Sequence, residues 1–134
     1  MTDAQTIASR FVEALNDRDF QAIASLLDED VAFDSMLGQR TIGADPLRMA
    51  IMSHLRYFDE EFGDMVVMHD GFGQRAAIDT TARGRYRETA PGLPEATGQS
   101  YSIPSVFVFE FDGGLVSRLT HYRNIRLFEQ MLAR

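Results

Sequence analysis

Hydrophobic positions in the first part of the chain recur every three or four residues, which predicts helices. Helix one is expected from residue 3 to Asn16, with a capping box at Thr2 and Gln5. A second helix, capped by Asp19, ends at the acidic run 28–30. A third is expected to start at Asp45, with Pro46 at its first helical position. Its buried stripe is Leu47, Ile51, Leu55, Phe58 and Phe62.

The remaining segments have the two-residue period of strands. Residues 31–36 predict a short strand, residues 38–43 a loop, and 126–132 a terminal helical turn. Beyond Gly63, strands at 65–69 and 75–88 flank a turn at 70–73. Two longer strands between Gly98 and Phe128 meet at Asp112-Gly113-Gly114, where glycine supplies the positive φ of a tight hairpin turn.

The strand before that turn is apolar on both faces. Val106, Val108, Phe107, Phe109 and Phe111 occupy both parities, whereas a strand with one wet face alternates. We therefore expect the helices to cover one face of the sheet and a second subunit the other, forming a homodimer. The pattern predicts a single α+β domain over 1–134, with a ligand between the bent antiparallel sheet and its three N-terminal helices.

Composition narrows the functional classes. The 134 residues include no cysteine, so disulfides and thiolate metal sites are excluded. The net charge of −7 argues against nucleic acid as a partner. The apolar stretch around 103–109 is too short to span a bilayer, and the N-terminus carries no leader pattern, which predicts a cytoplasmic protein. No metal spacing or phosphate-binding loop is found, so neither metal nor cofactor is expected.

Four stretches carry a resemblance to a known superfamily. They are RFVEALN from Arg10, DVAFD from Asp30 with Gly43, Gly84-Arg85-Tyr86 with Leu93-Pro94 and Thr97-Gly98, and Asp112-Gly113 with His121-Tyr122-Arg123-Asn124. On these residues the chain resembles the nuclear transport factor 2-like superfamily, and within it the ketosteroid isomerase-like and SnoaL-like polyketide cyclase groups. The resemblance implies a cone or half-barrel of the cystatin-like kind, usually dimeric, around a cavity for a hydrophobic small molecule.

The resemblance also implies catalytic positions. Asp34 matches the general-base aspartate of ketosteroid isomerases, whose pKa apolar surroundings raise; the alternative is an aspartate at the end of a strand that points to water. Phe11 and Phe107 stand at the oxyanion-donor positions and cannot donate a hydrogen bond, so weak or no steroid isomerisation is expected. Tyr57, Tyr101 and Tyr122 are the candidate replacement donors. Hydrophobic side chains such as Met52 are expected to line the cavity.

Two further polar residues complete the predicted site. In cyclases and limonene epoxide hydrolase-like members, an aspartate near the position of Asn124 points into the cavity. Here the residue is an amide, which accepts no proton at neutral pH. Asp79 sits among apolar neighbours and is expected in the cavity, exposed to solvent, or in a pair with Arg83 or Arg85. His54 is expected to be a partly exposed helix residue, and His121 to lie at the dimer interface.

These residues favour a cofactor-independent isomerase or cyclase. Its substrate would be a hydrophobic carbonyl compound, steroid-like or polyketide-like, and its reaction would be proton transfer. The alternative is a non-catalytic small-molecule binding or dimeric assembly module of the same fold, which the missing oxyanion donors favour. Epoxide hydrolysis is a third interpretation, against which Asn124 argues.

Overall fold

A computed structural model describes residues 3–134 as helices packed against a curved mixed sheet of six strands. The order of elements is α1 (Ala4–Asp17), α2 (Phe20–Ser25), β1 (Leu27–Asp34), β2 (Arg40–Ile42), α3 (Ala44–Tyr57), β3 (Phe58–His69), β4 (Arg75–Tyr86), β5 (Ser100–Asp112), β6 (Leu115–Arg123) and α4 (Ile125–Leu132). The predicted α+β class is therefore confirmed. Among the described residues, no helix is long and apolar enough to cross a membrane.

The sheet has the strand order β2-β1-β6-β5-β4-β3. Strands β3 to β6 form the predicted antiparallel meander, and β1 adds to β6 in parallel. The tight turn after Asp112 is built as expected, because Gly113 and Gly114 have φ of 59° and 79°. Glycine adopts such angles without strain, so the turn is favoured by its sequence.

Cross-strand register sorts the side chains onto two faces of the sheet. The inner face, toward the helices, carries buried residues such as Ile78, Phe107 and His121, which face one another across β4, β5 and β6. The outer face carries Asp79, Val106 and Tyr122 in the neighbouring register. Because the side-chain period of a strand is two, Val31 and Phe33 in β1 also point inward.

The end of α1 holds the start of β3, an edge strand of the sheet. The side-chain amide of Asn16 donates to the Phe62 carbonyl at 2.9 Å and accepts from the Phe62 N–H at 2.8 Å. Arg18, in the left-handed conformation, donates to the Glu60 carbonyl at 2.6 Å. These bonds occupy backbone groups that an edge strand otherwise leaves open, and they fix the position of residues 60–62.

The junction of α3 and β3 differs from the sequence-based expectation. The helix ends at Tyr57 and the strand begins at Phe58 with no loop, so Phe58 and Phe62 belong to the strand. The helix also begins earlier than predicted, at Ala44 with Gly43 as N-cap, which places Pro46 in the first turn rather than at its first position. The predicted stripe failed here because Phe58 and Phe62 are four residues apart, a spacing that fits both a helix face and one face of a strand.

Three smaller boundaries also differ. The first strand begins at Leu27 rather than Val31, and the predicted loop 38–43 contains the short strand β2. Thr2 lies outside the described residues, and the cap of α1 is Asp3, which accepts from the Thr6 N–H at 2.8 Å. The cap of α2 at Asp19 is confirmed, since its carboxylate accepts from Ala22 at 3.0 Å.

Candidate active site

A cavity of about 580 Å³ lies between the inner face of the sheet, α3 and the loops that cover its mouth. Its volume falls within the range of sites that bind drug-sized molecules. The mouth is framed by residues 35–39, residues 90–93 and the start of α4. The wall is mostly apolar, formed by Leu15, Phe33, Ile51, Leu55, Phe58, Phe62, Phe107, Leu119 and Phe128.

Two imidazoles interrupt this apolar wall. His54 comes from the last turn of α3 and His121 from β6, and both line the cavity. Their ring centroids are 6.4 Å apart and the rings stand almost perpendicular, at 87°. The His121 ring stacks on Phe107 with centroids 4.4 Å apart, and the His54 ring lies 4.9 Å from that of Phe58. The aromatic neighbours therefore fix both ring orientations.

A buried ion pair lies behind the imidazoles. Arg123 donates to the Glu60 carboxylate through both terminal nitrogens, at 2.6 Å and 3.0 Å, and neither side chain is exposed. The Tyr101 hydroxyl donates to Glu60 Oε1 at 2.5 Å, and His54 Nε2 lies 3.1 Å from Oε2. Removing one partner of such a pair leaves a buried uncompensated charge and typically costs about 3–5 kcal/mol.

Gly84 makes the contact between Tyr101 and Glu60 possible. It pairs across the sheet with both residues, between them in the neighbouring strand. A Cβ at this position would lie 2.5 Å from the tyrosine oxygen and 2.9 Å from Glu60 Cγ. The missing side chain thus leaves the space in which the phenol ring crosses β4 to reach the carboxylate.

The network keeps the Glu60 carboxylate ionised. Burial by itself would raise the pKa of Glu60, but the charges and hydrogen bonds of His54 and Arg123 outweigh burial and hold the pKa well below its usual value. Burial and the adjacent carboxylate raise the pKa of the Tyr101 phenol, which therefore stays protonated. A permanent negative charge thus faces His54 from behind the cavity wall.

A second branch of the network reaches His121 through Ser105. The Ser105 hydroxyl lies 2.9 Å from Arg123 Nε and 2.9 Å from His121 Nε2, and the serine is fully buried. Thr80 donates to the Ser105 carbonyl at 2.7 Å and so holds this part of β5. Burial, followed by the charges of Arg123 and His54, lowers the pKa of His121 well below its usual value. The His121 ring is therefore neutral at physiological pH.

The cavity and its position under α3 can be compared with known proteins. The family model of the SnoaL-like domain matches residues 8–119, which is most of the chain. The chain belongs to the SnoaL-like domain family. The suggested resemblance is thereby confirmed at the level of family and fold. No curated protein matches the sequence of this SnoaL-like chain.

Solved structures agree with this assignment. A provisionally named polyketide cyclase from Pseudomonas putida is 31% identical, with a TM-score of 0.95 over 98% of this chain and 99% of that chain. Another, from Xanthomonas campestris, is 30% identical over 96% of both chains, with a TM-score of 0.93. A provisionally named ketosteroid isomerase from Kribbella flavida, 21% identical over 90% of this chain and 76% of that one, has a TM-score of 0.69 and shows a shared fold alone.

Asp34, the expected general base of this SnoaL-like chain, does not lie in apolar surroundings. Its carboxylate accepts two hydrogen bonds from Arg40, at 2.6 Å and 2.9 Å, and its side chain is 24% exposed on the outer face. Arg118 lies 3.5 Å away and the Thr120 hydroxyl 3.3 Å away. The hydrogen bond from Arg40 is the main cause that lowers the pKa of Asp34 to about 2, opposite to the expected direction.

The other expected polar residues also lie away from the cavity. Asp79 is exposed on the outer face in register with Val106, and no ion pair joins it to Arg83 or Arg85 within the described residues. Tyr122 is exposed on the same face. Asn124 is the N-cap of α4, where its side chain accepts from the Leu127 N–H at 3.0 Å.

The expected aromatic and apolar positions divide between the cavity and its surroundings. Tyr57 and Phe107 line the cavity. Tyr101 is buried behind its wall, where its hydroxyl is held by Glu60. Phe11 is fully buried in the core with its ring 6.2 Å from that of Phe107, and Met52 is exposed on α3.

The residues that the sequence interpretation missed are His54 as a cavity group, His121, Glu60, Arg123 and Ser105. His121 was expected at a dimer interface, but its parity is that of Leu119, which lines the cavity. One signal was available: residues 58, 60 and 62 share one strand face, so a glutamate between two phenylalanines must be buried. Within residues 3–134, no group of three or more His, Asp or Glu could hold a metal ion.

Proposed function

We propose that this SnoaL-like protein is a cofactor-independent isomerase- or cyclase-type enzyme that transfers a proton on a hydrophobic carbonyl compound. The observation that carries the proposal is the pair of imidazoles in a mostly apolar cavity, backed by the buried ion pair of Glu60 and Arg123. A buried titratable group with a perturbed pKa that lines a cavity, as His121 does, marks a candidate active site. We assign the proton transfer to His54 rather than to Asp34.

The proton inventory of His54 supports its role as a general base. An ionised carboxylate only accepts hydrogen bonds, so the Nε2 atom of His54 carries the proton that bridges to Glu60. On the neutral ring, Nδ1 then holds a free lone pair and makes no hydrogen bond within the described residues. The negative charge of Glu60 stabilises the imidazolium that forms when Nδ1 takes a proton, as in other carboxylate-supported histidines.

The proposed reaction begins with removal of a hydrogen from the carbon next to the substrate carbonyl. The proton moves to His54 Nδ1, and the electron pair of the C–H bond moves onto the carbonyl oxygen as an enolate. His121, 6.4 Å from His54 between ring centroids, is placed to contact that oxygen. Return of the proton to another carbon gives isomerisation, whereas attack of the enolate carbon on a second carbonyl of the same molecule gives cyclisation.

The wall chemistry supports an uncharged, largely apolar substrate. Among the described residues, no lysine or arginine lines the cavity, and its acidic group, Glu129, is at the mouth on α4. A free carboxylate or phosphate would lose its hydration there without gaining a counter-charge. A polycyclic ketone, a lactone or an ester fits better.

Exchange of substrate hydrogens tests the proposal without knowledge of the physiological substrate. 2-Tetralone in D₂O loses its α-hydrogens when a general base acts on it, and NMR follows their exchange. The wild-type protein should accelerate this exchange, and His54→Gln should lower the rate by about 10²- to 10⁴-fold. His69→Gln is the matched control, because it removes an exposed histidine at the end of β3.

Asp34→Asn distinguishes the two candidate bases in the same assay. We expect its rate to stay within about twofold of wild type, because the carboxylate lies on the outer face. Loss of exchange in Asp34→Asn with full activity in His54→Gln would overturn the assignment to His54. Thermal stabilisation by 2-tetralone or 5-androstene-3,17-dione with no exchange in the wild type would favour the alternative, a binding module.

We also propose that the outer face of the sheet pairs with a second copy of this chain. Val66, Met68 and Tyr122 are exposed there, next to half-buried Val106 and Val108. Register places these side chains in neighbouring rows across β3 to β6, and Asp79 interrupts the apolar area between Val66 and Val106. Large exposed apolar areas on a sheet typically mark an interface between proteins.

A further inference from the structure

We propose that Ser105 is a positioning residue that holds His121 in the tautomer with its proton on Nδ1. The serine hydroxyl lies between two nitrogens, Nε of Arg123 and Nε2 of His121, each 2.9 Å away. The consequence is a neutral imidazole whose N–H, rather than its lone pair, is presented to the cavity. No other group of the described chain is placed to decide this tautomer.

Counting protons gives the direction of each bond. A guanidinium nitrogen can only donate, so the Ser105 oxygen accepts from Arg123. The serine has one hydrogen of its own, and within residues 3–134 its oxygen contacts no acceptor other than His121 Nε2. Because Ser105 is fully buried, a hydroxyl hydrogen without an acceptor would be strongly unfavourable. The hydroxyl therefore donates to Nε2, which must be unprotonated.

The charge of Arg123 is itself held in place. Its two terminal nitrogens are occupied by Glu60, and its guanidinium lies 4.8 Å above the Phe128 ring. This leaves Nε as the nitrogen that faces Ser105. The orientation of the serine hydroxyl is thus set by a buried ion pair rather than by solvent.

The second ring nitrogen of His121 is open to the cavity. Nδ1 makes no hydrogen bond within the described residues. It is not fully buried either, because the one fully buried side-chain nitrogen or oxygen without a partner there is Thr41 Oγ1. The ring lines the cavity and is stacked on Phe107, which prevents it from turning over freely. An Nδ1–H group there can donate to a carbonyl oxygen or an enolate. This use of the donor rests on the proposed function, whereas the tautomer itself does not.

The two histidines therefore have opposite capacities. His54 donates from Nε2 to Glu60, so Nδ1 carries the lone pair whenever the ring is neutral, while His121 accepts at Nε2 from Ser105 and keeps a proton on Nδ1. One connected set of hydrogen bonds, from His54 through Glu60, Arg123 and Ser105 to His121, sets both. A proton acceptor and a hydrogen-bond donor thus face the same cavity.

Nitrogen-15 NMR of the free protein with labelled histidine tests the tautomer directly. Protonated and bare ring nitrogens have well-separated shifts, and long-range couplings to the ring hydrogens tell Nδ1 from Nε2. The His121 signals are assigned by removing the other two sets in His54→Gln and His69→Gln. We expect a single neutral form with the proton on Nδ1 near neutral pH. A wild-type spectrum with the proton on Nε2 overturns the proposal, whether or not the protein is an enzyme.

Substitution of the serine tests its role as the cause. In Ser105→Ala, an Nε2–H population should appear that wild type lacks. Thr80→Val is the matched control, since it removes a buried hydroxyl that bonds the Ser105 backbone but contacts neither imidazole. It should leave the tautomer unchanged. If Ser105→Ala does not fold, Ser105→Cys, whose thiol is a weak donor, replaces it. A pure Nδ1–H form in the folded serine variant would overturn the positioning role.

Discussion

Asp34 and Glu60 are both carboxylates held ionised by arginine, yet they have different relations to the cavity. Glu60 is fully buried, and its four polar contacts include one to a cavity histidine. Asp34 is partly exposed and bonds Arg40 on the opposite face of the sheet. A depressed pKa makes either group a poor proton acceptor near neutral pH. Both therefore hold their neighbours in place, and the proton transfer that we propose is assigned to the imidazoles instead.

Asp34 should make stability depend on pH in the acid range. Its pKa is about 2 when folded, against an ordinary value of 3.8, so its contribution is complete above about pH 4 and is lost as the pH falls towards 2. Since a quarter of the side chain is exposed, screening reduces this contribution to about 1 kcal/mol. Chemical denaturation of wild type and Asp34→Asn at several pH values should show a difference that shrinks between pH 4 and 2.

Arg40→Gln provides the control for this measurement. It removes the main donor to Asp34 and should reproduce the loss of stability at neutral pH. A difference between wild type and Asp34→Asn that stays constant down to pH 2 would contradict the assigned ion pair.

The polar part of the site was not predictable at the residue scale. Glu60 and Arg123 are 63 positions apart, and Tyr101 and Glu60 are 41 apart. No local pattern reports that such residues meet. Comparison with the family that the chain resembles selected Asp34, Asp79 and Asn124. Strand parity places Asp34 and Asp79 on the outer face, and Asn124 caps a helix.

The close approach of β3, β4 and β5 depends on a glycine within the middle strand. In Gly84→Ala, the new Cβ would lie 2.5 Å from the Tyr101 oxygen and 2.6 Å from its ring carbon Cζ. The tyrosine must then move away from Glu60, which weakens a buried hydrogen bond. Overpacking of this kind typically costs about 1–3 kcal/mol. We expect a loss of that size in the free energy of unfolding from urea denaturation.

Gly63→Ala is a matched control for Gly84→Ala. Gly63 also lies in a strand without a positive φ, and its added Cβ would meet only Arg83 Nη1, at 2.9 Å. That atom ends a long exposed side chain, which can move at little cost. The control should lose less than about 0.5 kcal/mol of unfolding free energy, which is the usual range for substitutions at the surface. Equal losses in both variants would contradict a specific role for the space at Gly84.

The predictability of the elements followed the strength of their local signals. The β5–β6 hairpin was predicted from Asp112-Gly113-Gly114 and its apolar flanks, and the capped helices α1 and α2 were found within a few residues. The α3–β3 junction was not, because Phe58 and Phe62 continue the helical spacing, and a helix would place Glu60 on the side opposite to them. Its burial depends on Arg123 from the last strand, which stabilises the glutamate only in the folded protein.

At the scale of the molecule, the inner and outer faces of one sheet have separate roles. The inner face supplies the cavity and the ionic network, while the outer face carries apolar side chains between ion pairs such as Asp34 with Arg40 and Arg118 with Glu110. Strand β5 contributes to both, with Ser105 and Phe107 inward and Val106 and Val108 outward. Pairing through the outer face would therefore stiffen the strand that carries Ser105 without blocking the cavity mouth.

Tyr122→Glu tests whether the outer face pairs two copies of the chain. Tyr122 is 55% exposed and makes no hydrogen bond within residues 3–134, so its replacement should leave the fold intact. Burying the new charge at an interface should raise the dimer dissociation constant by at least about 100-fold, as for a central interface residue. Sedimentation velocity at micromolar concentration should show a wild-type dimer and a monomeric variant. Phe72→Glu, at the tip of the β3–β4 hairpin and 84% exposed, should remain dimeric, whereas a wild-type monomer would refute the paired face.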